Sequence, residues 1–201
     1  MRRAQQESLK EKIKRVKLLI LDVDGVLTDG RIIYDSEGRQ LRLFDAQDGT
    51  GILLLAAAGI KTIMVTILPS RAIECRAKDL RVEELYQGVK PKTKVLQQIL
   101  EKHGIAKEEI CYVGDDVVDV GVMRSIGFPV AVKNATRDVK DAACYVTKCT
   151  GGRGAVREIA ELILTTQGKW RDVLEKEFGI PPRPRKRALL DKRGAITKED
   201  R

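Results

Sequence analysis

The chain has 201 residues and a formal net charge of +9. This length fits one domain with extensions and allows the domain to bury its own core. No apolar run reaches the length of a membrane span, and the charged N-terminus lacks the apolar segment of a secretory signal. We therefore expect a cytoplasmic protein with no membrane span.

The positive charge is concentrated at the two ends of the sequence. Residues 1–17 carry seven Lys or Arg and two Glu, and residues 169–201 carry eleven basic and six acidic side chains, which is a net +5 for each segment. The other 20 basic and 21 acidic side chains give residues 18–168 a net charge of −1. This distribution argues against a nucleic-acid-binding face on the core, and leaves the termini a weak attraction to polyanions.

The first elements in chain order are an extension, a strand and a hairpin. Residues 1–15 are polar and charged, which predicts a frayed helix or a disordered segment. A buried strand begins near Val16 and ends at Asp22 and Asp24. Two strand-like runs at 31–35 and 40–44 then flank a turn, which predicts a projecting β-hairpin.

Helices and strands alternate through the rest of the core. We predict helices at about 48–58, 70–80, 91–103, up to 126, near 138 and at 154–166, and strands at 61–66, 85–87, 110–113, 129–132 and 144–147. This alternation predicts an α/β fold with a mainly parallel, Rossmann-like sheet that helices cover on both faces. Beyond Gly179, proline and arginine predict an extended, solvated tail.

Two aspartates at the end of the first strand are the strongest sign of a functional site. Side chains alternate along a strand, so Asp22 and Asp24 point the same way if the strand continues. Two such close carboxylates repel each other, so we expect a raised pKa, a cationic neighbour or a bound metal, and carboxylate oxygens suit Mg²⁺. Gly25 allows the chain to turn tightly beside a ligand. The alternative is an ordinary surface turn.

Other polar residues follow the next predicted strands. In parallel sheets ligands gather at the carboxyl ends of the strands, where Thr66, Asp115 and Asp116 lie. Asp22, Asp24 and Asp115 can hold Mg²⁺ against a substrate phosphate, and one carboxylate can form an aspartyl-phosphate while Asp24 acts as acid and base. Thr66 and a lysine of the 88–92 loop can bind phosphoryl oxygens.

Each of these residues also has a purely structural interpretation. Thr66 can bond to backbone, the lysines at 90, 92 and 94 can be solvated helix charges, and Asp115-Asp116 can cap the following helix. All of these interpretations must hold together for the phosphate site to be absent.

The motifs resemble those of the haloacid dehalogenase superfamily of phosphotransferases, and within it the small capless branch of 3-deoxy-D-manno-octulosonate 8-phosphate phosphatases. The resemblance covers about residues 16–168. It rests on stretches in the family's order: residues 22–30 (DVDGVLTDG), 48–49 (DG), 85–88 (LYQG), 112–116 (YVGDD) with Asp119, 145–147 (YVT) and 151–158 (GGRGAVRE). We assign residues 1–15 and 169–201 as basic extensions on either side of one phosphatase domain, 16–168.

The resemblance implies a role for each residue of the site. The catalytic set is Asp22 as nucleophile, Asp24 as acid and base, Thr66 as phosphate-binding hydroxyl and Lys92 as loop lysine. The implied Mg²⁺ ligands are Asp22, Asp115 and the backbone carbonyl of Asp24, with Asp116 and Asp119 in support. Arg76 and Arg153 are the implied substrate-binding residues.

The resemblance also implies an assembly and a pathway. Family members form homotetramers in which the hairpin, here residues 31–44, packs with its copies and helps to cover a neighbour's active site in place of a large cap. The glycine-rich segment at 151–157 lies near a neighbouring site. The implied function is Mg²⁺-dependent hydrolysis of 3-deoxy-D-manno-octulosonate 8-phosphate in lipopolysaccharide biosynthesis.

One departure from the family's pattern concerns the substrate. The family has Thr-Gly-Arg or Thr-Gly-Asn after its second strand, whereas this chain has Thr66-Ile67-Leu68. Ile67 and Leu68 add bulk and offer no side-chain hydrogen bond. This leaves two alternatives open: a phosphatase of a related nonulosonate 9-phosphate, or a non-catalytic oligomeric binding protein of the same fold. A nucleic-acid-binding protein that uses the basic termini is a third hypothesis.

Overall fold

Six parallel strands form the central sheet of this computed structural model, which describes residues 2–181. The strands are β1 (Leu18–Leu21), β2 (Ile33–Tyr34), β3 (Gln40–Leu41), β4 (Lys61–Val65), β5 (Glu84–Tyr86), β6 (Ile110–Gly114), β7 (Phe128–Ala131) and β8 (Tyr145–Val146). The sheet has the order β5-β4-β1-β6-β7-β8, and β2 and β3 form a separate antiparallel pair. The predicted α/β fold with a parallel sheet is confirmed.

Helices cover both faces of the sheet. They are α1 (Arg2–Lys14), α2 (Ala46–Ala57), α3 (Arg71–Asp79), α4 (Thr93–His103), α5 (Val120–Met123), α6 (Arg137–Ala142), α7 (Ala155–Thr166) and α8 (Trp170–Phe178). Helices α1, α2, α7 and α8 pack together as one layer, and α4, α5 and α6 belong to another. Strand β1 lies between these layers, so all four of its residues are buried.

The register of the sheet brings the predicted polar residues to one level. Leu21, the last residue of β1, pairs with Met64 of β4 and with Val113 of β6. Asp22, Thr66 and Asp115 therefore leave three neighbouring strands at the same edge of the sheet. This edge is the place where doubly wound sheets bind ligands.

Two helices at the ends of the chain differ from the sequence expectation. Residues 2–14 form a complete helix, whose end is fixed because Ile13 is buried and the Gln167 side chain donates to the carbonyl of Val16 at 2.8 Å. Helix α8 was not predicted; it packs on α2 and α7 through the buried Val173. Most of the predicted extended tail after Gly179 lies outside the described residues.

None of the helices between residues 2 and 181 combines the length and the apolar character needed to cross a bilayer.

Candidate active site

Asp22 lies immediately after β1 with only 5% of its surface exposed. Its backbone N–H continues the sheet by donating to the carbonyl of Val113 at 3.1 Å. Its Oδ1 accepts a hydrogen bond from the N–H of Val23 at 2.7 Å. The strand thus delivers a carboxylate to the sheet edge in one fixed orientation.

Lys92 supplies the positive charge beside this carboxylate. Its Nζ lies 2.6 Å from Oδ1 of Asp22 and 2.7 Å from Oδ1 of Asp119. Lys92 is 2% exposed, whereas Lys90 and Lys94 are exposed. The structure therefore distinguishes the three lysines and brings only Lys92 to the aspartates, as the resemblance implied.

Asp119 accepts hydrogen bonds from several groups around the cluster. Its Oδ1 also accepts from the hydroxyl of Tyr112 at 2.6 Å, and its Oδ2 accepts from the backbone N–H groups of Asp115 and Asp116 at 2.9 and 3.3 Å. Both oxygens of this fully buried carboxylate are thus engaged by protein donors. This arrangement fits the supporting role that the sequence analysis gave to Asp119.

Asp115 has the oxygen that best fits a metal ion. Carboxylate oxygens of Asp22, Asp115 and Asp119 lie within 4.8 Å of one another. Oδ1 of Asp115 is buried and has no hydrogen-bond partner among the described residues. A Cβ atom at Gly25 would lie 2.0 Å from Oδ2 of Asp115, so only glycine leaves this space open. A small cation with oxygen ligands, such as Mg²⁺, fits this donor set.

The charges of the cluster shift one another's ionisation. Burial raises the pKa of Asp22 well above its usual range, and the nearby Asp119 raises it further. Burial and the neighbours Asp119 and Asp116 raise the pKa of Asp115 to about 7. Burial disfavours the Lys92 ammonium, but Asp22 and Asp119 outweigh it and raise the pKa of the lysine. Three ionised carboxylates would carry more negative charge than one lysine balances, so a bound cation would favour their charged forms.

Asp24 does not join the carboxylate cluster through its side chain. Its Oδ1 and Oδ2 accept hydrogen bonds from Arg42, at 2.9 Å from Nε and 3.4 Å from NH2. The Arg42 side chain is 5% exposed, and its third contact is Oε1 of Gln40 at 3.1 Å. Arg42 could not be predicted from the sequence, because alternation within the hairpin shows which face a side chain lies on but not which residue that face contacts.

Thr66 lies at the end of β4 and is 1% exposed. Its backbone N–H donates to the carbonyl of Tyr86, and its hydroxyl accepts from the N–H of Leu68 at 3.2 Å. This local bond is the structural alternative that we considered for Thr66. Its role as a phosphate ligand stays a prediction.

The other predicted site residues make different contacts. Asp116 is exposed and accepts from the N–H of Val117, at the start of a short 3-10 helix, which is the capping alternative. Arg76 donates to the carbonyl of Asp45 at 3.0 Å and lies over the ring of Phe44. Arg153 is largely exposed, and its NH2 is 3.9 Å from Oδ2 of Asp29. Substrate binding by Arg76 and Arg153 stays a prediction.

Comparison with known proteins identifies the family to which the chain belongs. A profile of the haloacid dehalogenase-like hydrolases matches residues 60–159. The 3-deoxy-D-manno-octulosonate 8-phosphate phosphatase KdsC of Escherichia coli (strain K12) is 42% identical over 158 residues, which are 79% of this chain and 84% of that protein.

Solved structures agree with this match. The enzyme of the same description from Moraxella catarrhalis, in complex with magnesium ion, phosphate ion and a KDO molecule, superposes with a TM-score of 0.82 at 37% identity. The match covers 85% of this chain and 98% of that one. A structure described as a putative HAD superfamily (subfamily III A) hydrolase from Legionella pneumophila has a TM-score of 0.86 at 37% identity, over 89% and 98% of the two chains.

These matches confirm the resemblance and the phosphatase class inferred from the motifs. The chain belongs to the 3-deoxy-D-manno-octulosonate 8-phosphate phosphatase family of haloacid dehalogenase-like hydrolases.

Proposed function

We propose that the protein is a Mg²⁺-dependent phosphatase that hydrolyses 3-deoxy-D-manno-octulosonate 8-phosphate through an aspartyl-phosphate on Asp22. The observation that carries this proposal is the buried Asp22 carboxylate between the Lys92 ammonium and the unpartnered oxygen of Asp115. The names of the relatives, and the magnesium, phosphate and KDO bound in the Moraxella catarrhalis structure, support the substrate and the metal.

Asp22 attacks phosphorus in the first step. Its Oδ1 is engaged by Lys92 and by the N–H of Val23, so we assign the attack to Oδ2. The bond between phosphorus and the sugar oxygen breaks as the aspartyl-phosphate forms. Asp22, Asp115 and the Asp24 carbonyl would hold Mg²⁺, which would supply positive charge to the phosphoryl oxygens. Lys92 and the Thr66 hydroxyl add further donors.

Asp24 moves the protons of both steps. It protonates the leaving sugar oxygen, and then removes a proton from the water that attacks phosphorus and releases inorganic phosphate. In the structure both carboxylate oxygens of Asp24 are occupied by Arg42. The pair must therefore open before Asp24 can donate a proton, which makes Arg42 release part of substrate binding.

The hairpin is the proposed oligomer interface. Four of its apolar side chains, Ile32, Tyr34, Leu41 and Leu43, are 50–67% exposed. A soluble monomer rarely exposes such a cluster on one projecting element. We propose that copies of the hairpin pack together in a homotetramer in the cytoplasm, with residues 1–15 and 169–201 as extensions of the catalytic domain.

Ile67 and Leu68 favour a second candidate substrate. Leu68 is 40% exposed beside Thr66, where it offers an apolar surface in place of a polar contact. A nonulosonate 9-phosphate shares the sugar-acid phosphate chemistry and differs in the part of the sugar that reaches this loop. Its hydrolysis uses the same aspartates.

Phosphate release tests the proposal. The purified protein should release phosphate from 3-deoxy-D-manno-octulosonate 8-phosphate with Mg²⁺, and a chelator should stop the reaction. The nonulosonate 9-phosphate serves as the competing substrate, and the higher kcat/KM identifies the specificity. No release from either compound, under conditions where the Escherichia coli relative is active, would overturn the proposal.

A further inference from the structure

The glycine-rich segment 151–154 packs directly on the turn that follows the nucleophile. A Cβ atom at Gly151 would lie 1.7 Å from the carbonyl oxygen of Gly25, so the two backbones are in contact. The N–H of Gly152 donates to the carbonyl of Val26 at 2.8 Å. The segment thus contacts the catalytic turn of its own chain.

The same turn is held from inside by Thr28. Its buried hydroxyl accepts from the N–H groups of Gly25 and Gly30, both at 3.2 Å. A Cβ atom at Gly152 would lie 2.4 Å from the carbonyl carbon of Thr28. The glycine segment therefore closes the outer side of a turn that begins at Asp24, and a shift of the segment moves that turn.

A buried carboxylate from another helix fixes the glycine segment. Asp48 of α2 is 1% exposed; its Oδ2 accepts from the N–H of Gly154 at 3.1 Å and its Oδ1 from the N–H of Arg157 at 2.9 Å. Gly154 occupies the N-cap position of α7 but has no side chain that could cap the helix. Asp48 therefore satisfies the N–H group of the N-cap residue and one N–H group of the first turn of α7.

We propose that Asp48 is a positioning residue for the phosphatase reaction, which acts through the 151–154 segment to hold the Asp24–Thr28 turn. The inference rests on the proposed function. It assigns a role in the reaction to a side chain that contacts neither the carboxylate cluster nor, in this structure, any residue expected to bind substrate. Its consequence is that loss of the Asp48 charge displaces Asp24 relative to Asp22.

The test compares Asp48→Asn with a matched control on the same helix. Asparagine keeps the size of Asp48 but turns an N–H₂ group toward one of the two N–H donors. Gln167 anchors the opposite end of α7 by donating to the carbonyls of Ile13, Lys14 and Val16, far from the aspartates. Gln167→Ala should lower the melting temperature and leave kcat unchanged.

Two measurements are made on folded wild type and both variants. Asp48→Asn should lower kcat with 3-deoxy-D-manno-octulosonate 8-phosphate by at least about tenfold, because small displacements of reacting groups are costly. It should also speed hydrogen exchange of the amides at 24–30, which Gln167→Ala should not do. The exchange readout does not depend on activity, so it tests the positioning contact even if the proposed substrate is wrong.

An unchanged kcat together with unchanged exchange at 24–30 would overturn the inference, and so would an effect on KM alone. If Asp48→Asn does not fold, the Asn134→Ala variant tests whether the 151–154 segment positions the turn. Asn134 is exposed and holds the same segment by accepting from the N–H of Gly151 at 2.8 Å. Its loss should produce the same faster exchange and a lower kcat, and wild-type behaviour of this variant would overturn the inference.

Discussion

At the scale of single residues, the site is a cluster of buried carboxylates around one ammonium. The predicted strand ends were sufficient to bring Asp22 and Asp115 together, since parallel strands end at one edge, whereas Asp119 was implied only by the family resemblance. Lys92 could be chosen among three nearby lysines only by family resemblance, because solvated and buried lysines have the same local pattern. The contacts of Lys92 with Asp22 and Asp119 supply the physical reason for that choice.

Replacement of Lys92 by Met should reduce kcat on the order of a thousandfold, because a preorganised positive charge is removed from the reacting group. Asp22 and Asp119 also lose their common partner, so the melting temperature should fall. Lys94→Met, an exposed position two residues away, is the control and should match wild type. A kcat of the Lys92 variant within about tenfold of wild type would contradict the role of the ammonium.

Gly25 and Gly38 both have a positive φ, of +93° and +77°, but differ in their surroundings. Gly25→Ala should abolish high-affinity Mg²⁺ binding in calorimetry, because the new methyl group occupies the place of Oδ2 of Asp115. Gly38→Ala introduces the same kind of backbone strain at the hairpin tip, where no atom lies within 4 Å of the added Cβ. Equal Mg²⁺ affinities for the two variants would show that Asp115 is not a ligand.

At the scale of elements, the hairpin contacts the site and also carries the proposed oligomer interface. Sequence alternation predicted it, and Ile33 indeed pairs with Leu41. Its contact with the site through Arg42 and Asp24 was not predictable, since it depends on how the hairpin folds back over the sheet edge. Helix α8 was missed for a related reason: its burial on α2 and α7 is tertiary, and its own sequence is mostly polar.

Leu43→Asp should convert the assembled protein into smaller species, as measured by sedimentation velocity. Leu43 is 67% exposed on the hairpin, and a charge there is costly only if a partner covers it. Leu53→Asp places the same charge on α2, at a residue 39% exposed, and should leave the sedimentation coefficient unchanged. An unchanged coefficient for the Leu43 variant would contradict the hairpin interface.

At the scale of the whole molecule, a glutamate side chain stabilises each edge of the sheet. Glu158 of α7 accepts from the Tyr145 hydroxyl at 2.7 Å and from the N–H groups of Lys148 and Cys149. At the other edge Glu84 accepts from Tyr86 and pairs with Lys102 and His103. Burial opposes the charge of both carboxylates, but these donors outweigh it and lower the pKa of each.

The lowered pKa of Glu158 gives its stabilisation a defined pH dependence. The contribution is complete above the ordinary value of 4.5 and is lost as the pH falls through the lowered pKa. Glu158→Gln should therefore reduce the free energy of unfolding by about 1–3 kcal/mol at neutral pH, and the difference from wild type should shrink as the pH falls below 4.5.

Denaturant titrations at neutral and acidic pH measure this difference. Glu161→Gln on the same helix removes only a surface pair with Arg157, so it should change little at either pH. A Glu158 variant whose deficit is independent of pH would contradict the assigned contacts.

The sequence thus predicted the fold and the charged centre better than the chemistry around the substrate. The strand ends and their aspartates follow from local patterns, whereas Arg42, Asp48 and the contacts of Arg76 depend on packing between distant segments. Ile67 and Leu68 were visible as a departure from the family's motif. What they select in a substrate depends on how the loop after β4 faces the bound sugar.

The most direct test of the central claim is mass spectrometry of protein quenched with acid during turnover of 3-deoxy-D-manno-octulosonate 8-phosphate. The account predicts that the peptide containing Asp22 gains the mass of one phosphoryl group in the presence of Mg²⁺, and that Asp22→Asn shows no such gain and no phosphate release. Turnover by the Asp22→Asn variant at the wild-type rate, or a phosphoryl group on a different residue, would contradict it.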